Sequence, residues 1–233
     1  MGQYHNVINI DKQMKYNPRS LGCGMKLLEQ GNSLVSTTAL ALLLSQGWNG
    51  ERVALVGDYV EKDDISGIDD AVELYAHADK TYRNVGWLAR KVVQDAIGLT
   101  FFKDHYYIGS AKHSFYDISL PSNLVVSYPT VSGSALDDFD NTEVMAFVNY
   151  DTNEKYVGNG RTMRTMIENF AGDFMTAVFI LLAGSIRGGA RGGGDADNKM
   201  GGAWAGNHVG IIPNKDAHDF TDITDKVGDV SNL

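Results

Sequence analysis

The chain has 233 residues, of which 43% are hydrophobic and 21% charged, and its formal net charge is −9. This length and composition suit one large or two ordinary globular domains and argue against wholesale disorder. The acidic total argues against nucleic-acid binding as the main task, because proteins held by phosphate contacts usually have basic surfaces.

The first part of the chain predicts a strand, two helices and a second strand. Residues 4–10 alternate in polarity and are rich in β-branched side chains, which is typical of a strand. A short helix is expected over residues 25–30, and Ser36 is the predicted N-cap of a helix that extends to Gln46. Residues 52–56 form an apolar run that predicts a buried strand.

An acidic stretch and an amphipathic helix follow. Asp69 or Asp70 is expected to cap a helix that runs to about His77. Between Val85 and Ile97, apolar residues recur at i, i+3, i+4, i+7 and i+8, with charged residues on the other face. This spacing predicts an amphipathic helix whose apolar stripe faces the core.

The middle of the chain has a different composition. Aromatic residues and two prolines within residues 100–129 predict two or three strands with tight connections. Residues 132–141 are small, polar and acidic, which predicts a linker. Beyond it, we expect a strand over residues 144–150, two helices within residues 161–183, and a last strand over residues 208–212.

Parts of the chain occur twice in the same order. Residues 7–11 read Val-Ile-Asn-Ile-Asp and residues 147–151 read Phe-Val-Asn-Tyr-Asp, each with Lys-Tyr four residues later. Trp48-x-Gly50-x-x-Val53 is matched by Trp204-x-Gly206-x-x-Val209. These matches predict an internal duplication, in which two pseudo-symmetric strand-helix-helix-strand units resemble the halves of a fused dimer.

The expected fold class is α+β, because helices and strands do not alternate singly. The two predicted units span residues 1–98 and 144–233, and residues 99–143 form a β-rich middle segment with its linker. The units are expected either to join their sheets or to pack back to back. The sequence also leaves open that the protein forms a homo-oligomer.

Several motifs together resemble a known family. The motifs are Met1-Gly2-Gln3-Tyr4, Val7-x-Asn9-x-Asp11-Lys12, Asn17-Pro18, Gly22-x-Gly24-x-Lys26-Leu27-x-Glu29 and Val53-x-Leu55-Val56-Gly57-Asp58-Tyr59. They resemble uncharacterised proteins of bacteria, plasmids, phages and large viruses that open with Met-Gly-Gln-Tyr-Tyr. Those proteins also carry Arg-Gly-Gly-Gly-Asp, Trp-Ala-Gly and Gly-Asp-Tyr motifs, which are here divided between the two copies. The resemblance implies kinship and a phage or mobile-element setting, but no activity.

The leading candidate site is a glycine-rich segment, residues 187–195, which the first copy lacks. Glycines let successive backbone N–H groups point into one concavity, and arginines add bidentate contacts, so the composition suits phosphate or carboxylate. The segment follows a helix end, where carbonyl groups disfavour anions, so a mobile surface insertion or a partner-docking loop is the favoured interpretation and the anion site the second. An RNA-binding Arg-Gly segment is a third, which the acidic chain disfavours. The candidate residues are Arg187, Arg191, Gly192, Gly193, Gly194 and Asp195.

Three further residues complete the predicted ligand-binding set. Trp204 precedes a strand, where tryptophan is more often a lid over the core than a platform for a ligand. Asp58 and Tyr59 follow a strand end, a common place for binding residues, although aspartate is equally typical of a turn.

We predict no cofactor and no metal site. Asp58, Glu61, Asp63 and Asp64 offer oxygen ligands but lack the spacing of a calcium loop, so a solvated charge run is the favoured interpretation. The six histidines are dispersed. Cys23 lies between two glycines and is interpreted as a small buried thiol rather than a nucleophile.

The remaining features bear on location and function. A single cysteine excludes a disulfide within the monomer and favours the cytoplasm. The longest apolar runs have about ten residues, whereas a bilayer span needs about 20, so no membrane insertion is expected. We favour a non-enzymatic protein that binds a host protein or a small anionic, nucleotide-like ligand. The alternatives are an enzyme acting on a nucleotide or phosphoester, with Asp58 or Asp195 as general base or metal ligand, and a structural subunit of a particle.

Overall fold

The computed structural model describes residues 3–97, 100–101, 105–108, 111–114, 142–168, 173–184 and 199–228. In the first half, these residues form strands β1 (His5–Asn9), β2 (Met14–Tyr16), β3 (Glu51–Gly57) and β4 (Arg83–Asn84), and helices α1 (Leu27–Gly31), α2 (Leu34–Ser45), α3 (Ala71–Thr81) and α4 (Gly86–Ile97). The middle contributes β5 (Thr100–Phe101), β6 (His105–Ile108) and β7 (Ala111–Ser114). The second half forms β8 (Met145–Asn149), β9 (Glu154–Tyr156), β10 (His208–Pro213) and β11 (Thr221–Asp222), with helices α5 (Met163–Glu168), α6 (Asp173–Leu182) and α7 (Thr224–Val227).

One eight-stranded sheet joins the two halves, in the order β11-β9-β8-β10-β3-β1-β2-β4. The two ends of this order correspond. From the centre outward, each half contributes its third, first, second and fourth strand. The central strands β3 and β10 are antiparallel, and Arg52 lies opposite His208. The fold is therefore α+β, as predicted, and the halves join through their sheets. The duplication as the origin of this pattern stays a prediction.

Backbone hydrogen bonds at the centre of the sheet also correspond between the halves. The Gly50 N–H donates to the Val209 carbonyl over 2.9 Å, and the Gly206 N–H donates to the Val53 carbonyl over 3.0 Å. Each pair joins the glycine of one Trp-x-Gly-x-x-Val motif to the valine of the other. The repeated motif thus marks the place where the two half-sheets meet.

Alternation along the strands divides the core between the two faces of the sheet. Val7, Val53 and Phe147 belong to the large apolar cluster that also contains side chains of α1, α2, α4, α5 and α6. Ile8 and Ala54 point to the opposite face, where α3 covers the first half. Within the described ranges, no helix has the length and apolar character needed to cross a membrane.

The start of α2 differs from the prediction. Ser33, not Ser36, is the N-cap, and its hydroxyl accepts a hydrogen bond from the Ser36 N–H. Both serines can cap a helix, but the earlier start adds most of a turn and places Val35 in the core. For α3, the cap is Asp70, one of the two predicted residues, and its carboxylate accepts the Glu73 N–H over 3.0 Å.

The middle segment is described only in part. β5, β6 and β7 form a separate antiparallel sheet in which β6 is central, in agreement with the predicted strands. Residues 115–141, which include the predicted linker, lie outside the described residues.

Candidate functional site

The predicted ligand-binding residues fall into two groups. Arg187, Arg191, Gly192, Gly193, Gly194 and Asp195 lie outside the described residues, within residues 185–198. Asp58, Tyr59 and Trp204 are described, and so is the chain on both sides of residues 185–198. The structure therefore describes the residues that flank the glycine-rich segment, and we call residues 180–184 and 199–206 its base.

That base is held against the end of α6 and the middle of β3. The Gly184 N–H donates to the Leu55 carbonyl over 2.8 Å, and the Gly202 N–H donates to the Ile180 carbonyl over 3.0 Å. Gly202 has a φ of +75°, and a Cβ there would lie 2.6 Å from the Ala183 carbonyl oxygen. The chain before and after residues 185–198 is thus fixed at one place, three residues along β3 from Asp58.

The acidic loop of the first half, residues 58–70, packs against the same base. The Ser66 N–H donates to the Ala205 carbonyl over 2.9 Å. A Cβ on Gly206 would lie 2.5 Å from both the Ile65 side chain and the Ser66 carbonyl oxygen. The acidic loop and the base of the glycine-rich segment therefore form one packed region, although they belong to different halves.

Asp58 and Tyr59 form a turn at the end of β3. The Asp58 carboxylate accepts the Tyr4 N–H over 2.9 Å, and the Asp58 N–H donates to the Tyr4 carbonyl over 3.2 Å. The carboxylate thus has the turn role that the sequence allowed. Both residues are exposed, so they also remain accessible to a ligand.

Trp204 lies in the core rather than at the surface. Its side chain is buried, with 1% of the residue exposed, and its ring lies 4.9 Å from that of Phe147, centroid to centroid. Its indole Nε1 donates to Glu154 over 3.3 Å. Trp48 takes the corresponding place in the first half, against Tyr16. Trp204 therefore covers the core, the role that the sequence favours over a platform for a ligand.

A polar cluster at the centre of the sheet was not predicted. Arg52 donates through its backbone N–H and its Nε to the two carboxylate oxygens of Asp11, both over 2.7 Å. In the second half, the His208 N–H donates to Asp151 over 2.9 Å, and the His208 Nδ1 lies 2.8 Å from the other oxygen. The His208 Nε2 is also 3.8 Å from Asp11, so the cluster connects the halves. The sequence contained one signal that could have indicated this cluster, because both pairs occupy matching positions of the repeated motifs.

The two aspartates of this cluster have lowered pKa values. Burial alone would raise the pKa of Asp11, but hydrogen bonds and charge from Arg52, with the charge of His208, lower it on balance. Burial likewise opposes the shift at Asp151, where hydrogen bonds and charge from His208, with the charge of Arg52, lower the pKa. Both carboxylates therefore contribute to folding in their ionised form.

This shift predicts a loss of stability in acid. A carboxylate with a lowered folded-state pKa contributes stability that is present above its unfolded pKa and is lost as the pH falls through the folded value. The ordinary value is 3.8, so urea unfolding between about pH 5 and about pH 2 should show wild type losing more stability than Asp11→Asn/Asp151→Asn. Asp63→Asn/Asp69→Asn removes the same charge from exposed sites and should keep the wild-type slope. Equal slopes for all three proteins would contradict the assignment.

Cys23 is buried beside the start of α2. Burial raises the pKa of the Cys23 thiol to about 11, and the Sγ lies 2.8 Å from the Ser33 hydroxyl. Among the described residues, no three His, Cys, Asp or Glu side chains are grouped so that they could hold a metal ion.

Comparison with known proteins adds no family. No family model, no curated protein and no solved structure matches the chain.

Proposed function

We propose that this is a non-enzymatic binding protein, of the phage or mobile-element type that the sequence motifs suggest. Its ligand is a host protein or a small anionic, nucleotide-like molecule, contacted by Arg187 and Arg191 of the glycine-rich segment. One observation carries the proposal: the base of that segment is fixed by hydrogen bonds at Gly184 and Gly202 beside β3. Binding residues are commonly carried by connecting segments whose ends a rigid scaffold holds in place.

The neighbourhood of the base supports this assignment. Asp58 and Tyr59 lie three and four residues beyond Leu55, which accepts the Gly184 N–H. An exposed tyrosine and an exposed carboxylate near the base offer a ligand aromatic contact and negative charge. Trp204 is left out of the ligand contacts, because its ring is buried in the core. The single cysteine, Cys23, fits a cytoplasmic setting.

A thermal-shift screen tests the proposal. The purified protein is screened against inorganic phosphate, nucleotides and ADP-ribose, with and without magnesium. A ligand that binds only the folded state stabilises it by RT ln(1 + [L]/Kd), about 2.7 kcal/mol at 100 times Kd. We expect an anion to raise the unfolding temperature of wild type and to have no effect on Arg187→Ala/Arg191→Ala.

The matched control is Arg83→Ala/Arg164→Ala, which removes two exposed arginines elsewhere and makes the same change in net charge. This variant should keep the full shift. If both double variants lost the shift equally, anion binding would depend on the overall charge of the protein. That result would contradict a binding site in the glycine-rich segment. Turnover of a nucleotide would favour the enzymatic alternative.

A further inference from the structure

Exposed aromatic side chains gather at one end of the first half. Tyr4, Tyr59 and Val72 are 39%, 47% and 51% exposed, and they are three of the four large hydrophobic residues that are exposed in the described part of the chain. Tyr4 and Tyr59 are neighbours, because Tyr4 pairs through its backbone with Asp58. Such a grouping is unusual for scattered surface residues and marks an interaction site.

Helix α3 adds to the same surface. Val72 and Tyr75 are three positions apart and so lie on one side of the helix. Tyr75 is half-buried, and after burial itself, the charges of Asp58 and Asp79 are what raise the pKa of its phenol. Tyr75 also packs against the apolar cluster that contains Val56 and Val60, on either side of the turn that carries Asp58. We call Tyr4, Asp58, Tyr59 and Tyr75 the tyrosine patch.

The surroundings of the tyrosine patch are strongly acidic. Residues 58–80 contain eight carboxylates and two lysines, so most of the net charge of −9 comes from this stretch. Acidic surface next to exposed tyrosine rings is complementary to arginine and lysine, which combine charge with stacking on aromatic faces. The chain already contains one such contact, because the Arg19 guanidinium lies 5.8 Å from the centre of the Tyr4 ring.

We propose that the tyrosine patch docks an arginine- or lysine-bearing peptide segment of a partner protein, with the cation stacked on Tyr59 and paired with Asp58. This goes beyond the proposed anion site, because the ligand carries the opposite charge and is held by Asp58 and Tyr59 without the arginines of the glycine-rich segment. The tyrosine rings give specificity and the carboxylates give attraction, a division that is common at interface hot spots.

The test is fluorescence anisotropy with a labelled decapeptide of alternating arginine and glycine, and with its lysine counterpart. We expect the arginine peptide to bind more tightly, because a planar guanidinium stacks better than an ammonium. Tyr59→Ala should weaken binding at least about fivefold, and Tyr59→Phe should retain it, because the ring face supplies the contact. Asp58→Asn should also weaken binding while keeping the hydrogen bond from the Tyr4 N–H.

Two controls make the result decisive. Tyr150→Ala removes a tyrosine with the same 39% exposure as Tyr4, but it lies at the end of β8 in the second half, so binding should change less than about twofold. Arg187→Ala/Arg191→Ala should leave peptide binding unchanged, which separates this site from the anion site. Equal binding by wild type and Tyr59→Ala, or an equal loss in Tyr59→Ala and Tyr150→Ala, would overturn the proposal, because both results indicate non-specific attraction to an acidic protein.

Discussion

Gly206→Ala is expected to destabilise the protein by about 2 to 5 kcal/mol, from two separate costs. Gly206 has a φ of +83°, and a residue with a Cβ pays about 1–2 kcal/mol in this left-handed region. The new methyl group would also lie 2.5 Å from the Ser66 carbonyl oxygen and the Ile65 side chain. Backbone cannot move aside cheaply, and overpacking of this kind typically costs about 1–3 kcal/mol more.

The repeat provides a matched control for this prediction. Gly50 occupies the corresponding position of the first Trp-x-Gly-x-x-Val motif, with a φ of +79°, but a Cβ there would meet nothing within 4 Å. Gly50→Ala should therefore cost only the conformational part, about 1–2 kcal/mol. Urea unfolding followed by circular dichroism measures both variants. Equal stability of the two alanine variants would contradict the close packing of the acidic loop against the base of the glycine-rich segment.

Local sequence patterns predicted the helices and strands well where a regular apolar spacing extends over many residues. The amphipathic helix α4 and the buried strands β1, β3, β8 and β10 lie close to their predicted positions, because burial of one face imposes a period on the sequence. Strands β4 and β11 have two residues each, too few to show a period. They are strands only because they pair in parallel with β2 and β9, which are distant in sequence.

The polar cluster at the centre of the sheet was harder to predict, because it joins residues that are distant in the sequence. Arg52 and Asp11 are 41 residues apart, and His208 and Asp151 are 57 apart, so no local motif joins them. The contact of Ser66 with Ala205 links the acidic loop of the first half to the Trp204-x-Gly206 motif of the second. Such contacts depend on how the half-sheets meet. The repeated motif indicated matching positions in the two copies, but not that the copies share one sheet.

Trp204→Ala is expected to destabilise the protein by about 3 to 5 kcal/mol, the usual cost of removing a buried tryptophan side chain. The ring packs against Phe147 and its indole nitrogen donates to Glu154, so truncation leaves a cavity and removes one of the two hydrogen bonds that the Glu154 Oε2 accepts, the other coming from Thr152. Trp48→Ala should cost a similar amount, because Trp48 is equally buried. Circular dichroism is the required probe, since these substitutions change the tryptophan fluorescence itself.

Trp204→Phe separates the core role from a role in ligand contact. Phenylalanine keeps much of the packing on Phe147 and loses the hydrogen bond to Glu154, so the cost should be well below that of Trp204→Ala. A tryptophan that stacks on a ligand would behave in the opposite way: Trp204→Phe would weaken ligand binding and leave unfolding unchanged. Because the ring is 1% exposed, we expect a loss of stability with unchanged affinity for any anion found in the screen. The reverse result would require Trp204 to leave the core when ligand binds, which would expose Phe147 and the helices packed around it.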